Sequence, residues 1–177
     1  MPYDASRRRG SSTFTIKEKS MSPRYEHDPT KHSAALTVFP KGEYEFVIGK
    51  PKAFERQARA GHQSIGLRFP LKCANGPMEG KKTVFSIYLH SDGGAQMAKR
   101  FQMAVGGFAV NEANEAAYDA QAAGKDWSFD PADGSVGAAW AEYEGVHVIC
   151  DVDVRIEKND KDEEVQQQEW GTWRPIG

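Results

Sequence analysis

Cysteine is scarce in this chain: Cys73 and Cys150 are the only two among 177 residues. Two cysteines do not make a disulfide scaffold at this length. Both lie in alternating apolar runs, so they read as buried free thiols rather than a bridge. Long apolar runs are missing as well. No stretch reaches the roughly 20 apolar residues that span a bilayer. The N-terminal residues, where Arg7, Arg8 and Arg9 precede Gly10, lack the apolar centre of a secretory signal. The expectation is a soluble, cytoplasmic protein with no membrane partner. Histidine is sparse too: His27, His32, His62, His90 and His147 are scattered, and none sits at metal-ligand spacing from cysteines or carboxylates. His147 with Asp151 and Asp153 comes nearest to a metal set. Their alternation with valines already accounts for them as the solvated face of a strand. With no nucleophile elbow either, the reading is of a chain that is not an enzyme and needs no metal or cofactor.

Charge is plentiful, and it is unevenly placed. Residues 1–110 carry 18 Lys/Arg against 9 Asp/Glu, whereas residues 111–177 carry 5 against 16. A split of this kind points to a polyanionic partner for the basic part. Residues 1–36 are polar, lack hydrophobic periodicity and hold 7 Lys/Arg against 4 Asp/Glu. They read as a basic, flexible N-terminal arm, which leaves residues 37–177 as one domain.

Period-two alternation marks the strands of that domain. Tyr44, Phe46 and Ile48 alternate with polar or smaller residues after the Pro40-Lys41-Gly42 turn. Residues 50–62 read as a polar, basic connection. Ile65, Leu67, Phe69 and Leu71 then share one face of a second strand. Pro70 inside this run predicts an edge or a bulge, because proline cannot donate to a ladder. Thr83–Leu89 forms a third strand, with Phe85 and Ile87 on one face and Tyr88 on the other. Met97, Phe101 and Ala104 or Val105 fall at helical spacing before Gly106-Gly107. Residues 111–124, alanine-rich and acidic, predict a second helix, and 125–140 read as loop around Trp127, Phe129 and Trp140. The strongest alternation, Val146–Ile156, pairs through a polar turn with a last strand near Val165–Trp173. Three strands, a helical region with an acidic insertion at about 107–144, and two strands make a mainly β chain. That order is the order of a five-stranded OB-fold-like barrel.

Gly76-Pro77-Met78-Glu79-Gly80-Lys81-Lys82-Thr83 has the look of a phosphate loop but fails its test. Three residues separate the glycines where four are needed, and the segment joins two strands instead of opening a helix. It reads as a basic hairpin turn. What remains is a basic surface with aromatics interleaved. Lys50, Lys52, Arg56 and Arg59 surround Phe54. Arg68 and Lys72 share the outward face of the second strand, Lys81 and Lys82 follow at the next turn, and Tyr88 projects outward from the third. Cations neutralise phosphates and rings stack on unpaired bases, so these ten residues are the candidate nucleic-acid-binding set.

Some segments also resemble a known group. Phe39-Pro40-Lys41-Gly42-Glu43-Tyr44-Glu45-Phe46 resembles the opening LPEGEYE strand of a family of phage-encoded, OB-fold, single-stranded-DNA-binding-like proteins. Gly76–Phe85 resembles that family's G-x-x-x-G-K-K-x-x-F turn and strand, and Gly145–Ile156 with its hairpin and aromatic-proline ending resembles its C-terminal part. The resemblance implies binding of single-stranded DNA with little sequence preference in phage replication or recombination. Replication or recombination proteins would be further partners, and the resemblance leaves room for a homo-oligomer whose order the sequence does not give. A different class of function is a protein-interaction module, an adaptor or DNA-mimicking inhibitor of a host factor, using the acidic residues 111–144.

Overall fold

Strand β1, Gly42–Ile48, opens the fold by sending Phe46 and Ile48 into the core on alternate positions. The computed structural model describes residues 36–57, 63–159 and 161–177. The rest of the basic arm lies outside these residues. After β1 the chain bends at Gly49, Lys50 and the fully buried Pro51, then resumes as β2, Lys52–Gln57. Both runs lie antiparallel along the same edge of β3, Gln63–Cys73: Ile48 faces Leu71, and Lys52 faces Arg68. Residues 50–62 are therefore not simply the connection that their polarity predicts. Only Ala53 of β2 enters the core, so the strand carries no apolar stripe of its own, and β3 supplies its ladder.

β4, Lys82–Tyr88, pairs along the other edge of β3, which makes β3 an interior strand. The prediction that Pro70 marks an edge is thus corrected. Pro70 turns its backbone towards the bend between β1 and β2, where its carbonyl accepts from the Gly49 amide at 2.7 Å. The missing N–H of proline falls where the ladder is already interrupted.

β7, His147–Lys158, pairs with β1, and β8, Glu164–Pro175, pairs with β7. The sheet thus runs β4, β3, then β1 and β2 together, β7 and β8, all antiparallel. Its two outer strands approach each other through side chains. The Phe85 ring of β4 lies 5.3 Å from Trp170 and 4.6 Å from Trp173 of β8. No backbone ladder joins β4 to β8 among the described residues. Helix α1, Asp92–Val105, covers this seam, with Phe101 set 5.0 Å from Phe85 and 4.8 Å from Trp173. Ser91 caps α1 by accepting from the Gly94 amide at 3.2 Å. Residues 36–40 cross the same gap at its other end. Thr37 donates to the Lys82 carbonyl, and the Phe39 amide donates to Gln168 Oε1 at 2.7 Å.

Helix α2, Glu112–Ala122, stands where the acidic helix was predicted. Residues 125–140, polar and turn-rich, are not simply loop: they hold a small hairpin, β5 Phe129–Asp130 and β6 Ser135–Val136, and lead into a short helix α3, Ala138–Ala141. Asp126 and Asp133 each accept from a serine two residues on, which shapes these turns and lowers both carboxyls below their ordinary range. Trp140 and Tyr143 are delivered to Phe69 at 6.0 and 6.2 Å, inside the main core. Cys73 and Cys150 are buried and unpaired. Among the described residues no helix is long and apolar enough to cross a membrane.

Candidate nucleic-acid interface

Alternation along β2, β3 and β4 sends Lys52, Phe54, Arg56, Arg68, Pro70, Lys72, Lys82, Val84 and Tyr88 to the face opposite the core. Register then decides who stands beside whom. Lys52 is opposite Arg68, Lys72 is opposite Lys82, and Phe54 and Tyr88 flank Gly66 from either side. The two rings meet edge to face at 5.6 Å. The Arg68 guanidinium lies over the Phe54 ring, 4.4 Å from its centre. Gly66 is required beneath them: a Cβ there would sit 2.0 Å from the Ile87 carbonyl oxygen and 3.2 Å from the Phe54 ring.

The structure thus gathers Lys52, Phe54, Arg56, Arg68, Lys72, Lys82 and Tyr88 on one surface. Lys50 sits exposed in the β1–β2 bend and Lys81 exposed just before β4, at opposite margins. Arg59 lies outside the described residues. Phe54 was expected as an open stacking platform, and this is corrected. It is only 8 % exposed, covered by Arg68 and Tyr88, so it anchors that pair instead. Tyr88 keeps 38 % of its surface open. Sequence reasoning passed over Gly66, whose meaning depends on the close approach of β4, and the apolar residues Val47 and Val84, which look like ordinary strand valines.

No protein-family model matches this chain, and no curated protein matches it. The functional reading therefore rests on the residues and their geometry.

The neighbouring half of the sheet has the opposite sign. Arg174 of β8 bonds both Glu43 of β1 and Asp151 of β7, with 3.0 Å to Asp151, and these carboxylates hold the guanidinium above its ordinary pKa. Asp153 pairs with Lys41 at 2.7 Å, which lowers the carboxyl and raises the amine. His147 Nδ1 lies 2.6 Å from Glu45 Oε1. The three residues that came nearest to a metal set thus face three different partners. On α2, Glu115 and Asp119 both reach Lys99 of α1, at 3.3 and 3.2 Å, and raise its pKa.

Proposed function

We propose that this chain is an OB-fold protein that binds single-stranded DNA with little sequence preference, in phage DNA replication or recombination. Support for the fold comes from strand order and from the seam. β1 and β2 act as one bent strand along β3, β1 pairs with β7, and α1 stands between the third and fourth runs of strand. Side chains of β4, β8 and α1 fill the gap that a barrel would close.

One observation carries the binding reading: cation faces cation twice on the same outer surface, Lys52 with Arg68 and Lys72 with Lys82. Like charges directly opposite each other weaken a sheet. A phosphate lying between them reverses the sign of the interaction, and two such pairs along β3 suit a polyanion passing over it. Tyr88 beside the first pair offers the ring face on which an unpaired base stacks. The acidic outer face of β1 and β7 then bounds the path, because it repels phosphate. Replication or recombination proteins are the proposed partners of that second face.

Fluorescence anisotropy with a labelled oligo-dT and its duplex, at two salt concentrations, tests the proposal. The expected result is preference for the single strand, with affinity falling steeply as salt rises. About five phosphates neutralised correspond to a slope of roughly −3.5 in log K against log salt. Absence of oligo-dT binding at low salt would overturn it.

A further inference from the structure

One cleft of about 650 Å³ opens on the same outer face, one step along β3 from Arg68. Its floor is apolar: Val84 lies opposite Pro70, Val47 stands one row on, opposite Lys72, and Leu36, 61 % exposed, lines it as well. Lys72 and Lys82 stand on one rim, with His147 and Glu79 on others. The volume lies in the range of small-molecule sites. The cation pair Lys52 and Arg68 lies on one side of the Pro70 row and the pair Lys72 and Lys82 on the other, about 13 Å apart along the strand. A polyanion touching both pairs must cross this cleft.

We propose that the cleft seats one unpaired thymine base of the bound strand and distinguishes it from uracil, an inference that rests on the single-stranded DNA reading above. The floor has no ring large enough to stack a purine and offers methyl groups instead. A pyrimidine lying on Pro70 brings its 5-methyl group against Val84 or Leu36, the kind of apolar contact by which proteins read thymine. Lys72 and Lys82 hold the flanking phosphate, and the Glu79 carboxylate keeps that phosphate to the lysine side. An acidic peptide with an apolar tip has related chemistry, but the continuity of the cleft with the Arg68 and Tyr88 surface favours the nucleic acid.

The test uses the full chain and two oligonucleotides of equal length, oligo-dT and oligo-deoxyuridine, which differ only in the 5-methyl group. Wild-type protein binds oligo-dT about fourfold more tightly, the effect of seating one methyl group. Val84→Thr or Leu36→Ser lowers this ratio below about twofold, and circular dichroism confirms that both variants fold. Tyr88→Ala weakens both oligonucleotides and leaves the ratio intact. Equal binding of the two by wild-type protein overturns the cleft assignment while leaving the single-stranded DNA reading standing. So does a ratio that both folded variants preserve. An acidic, apolar-tipped peptide that loses affinity in Val84→Thr while the ratio stays at one assigns the cleft to a protein ligand and also overturns it. Failure of both oligonucleotides to bind overturns the DNA reading itself, and this inference with it.

Discussion

Tyr88 and Phe54 touch each other, yet their roles separate on exposure. Replacing Tyr88 by Ala removes a half-open ring and is expected to cost about 1–3 kcal/mol of single-strand affinity, with Tyr88→Phe retaining most of it; anisotropy titrations read both. Phe54→Ala instead empties a covered site beneath Arg68 and is expected to cost roughly 3 kcal/mol of stability, read by urea denaturation. Titration at buried residues acts on stability as well. Burial pushes the Cys150 thiol up to about 12 from an ordinary 9.0, and Tyr118 up to about 12 from 10.0. In the unfolded chain both groups lose their protons first. Their contribution is therefore intact below about pH 9 and is lost as pH rises towards 12, with a slope of up to ~1.4 kcal/mol per pH unit for each group. Urea midpoints measured from pH 7 to 11 are expected to hold level and then decline, and a continued rise above pH 9 would contradict this account.

At the scale of strands, the facing lysines set function against stability. Lys72→Gln and Lys82→Gln each remove one member of a like-charge pair, so each is expected to raise the thermal midpoint slightly while lowering DNA affinity. Each is also expected to reduce the salt slope by about 0.7. Parallel melting and binding measurements check the opposed signs. Gly66 is the corresponding backbone requirement. Gly66→Ala forces a methyl group into the Ile87 carbonyl and must spread β3 from β4, costing about 1–3 kcal/mol or more. Its thermal midpoint and its oligo-dT affinity are expected to fall together, because the Phe54 and Tyr88 rings meet over that glycine. β1, β3, β4 and β7 were legible in the sequence because each carries its own apolar stripe, such as Leu67, Phe69 and Leu71. β2 was not, since one alanine is all it commits to the core. The β5–β6 hairpin escaped for a similar reason: its strands are two residues long, too short to show a period.

Across the described residues, the cations of β2, β3 and β4 and the carboxylates of β1 and β7 occupy neighbouring parts of one sheet, and α2 carries further acid. The acidic residues 111–144 are not a separable appendage, because Trp140 and Tyr143 from this stretch pack on Phe69 in the main core. Removing the segment would empty that core and unfold the domain, so deletion cannot separate a DNA-mimicking role from a structural one. Neutralising the exposed face of α2 can. The triple variant Glu112→Gln, Glu115→Gln, Asp119→Asn releases Lys99 and is expected to cost under about 1 kcal/mol, as exposed ion pairs do. Single-strand binding is expected to persist or improve slightly. Loss of a protein partner with DNA binding unchanged would instead mark α2 as an interaction surface.

Alternation along β1, β3, β4 and β7 was enough by itself to say which of their side chains point inward and that Arg68 and Lys72 point out, because a period of two is a property of one strand alone. Composition likewise located the charge split. Which cation stands opposite which was decided only by the tertiary structure. Lys52 and Arg68 are 16 residues apart and Lys72 and Lys82 are 10 apart, and a register slip of a single residue would face each with a core position instead. The burial of Phe54 under Arg68 has the same origin, since it needs β2 to pair at all. Local pattern sets the direction of a side chain, but its neighbours are set by backbone hydrogen bonds between distant segments.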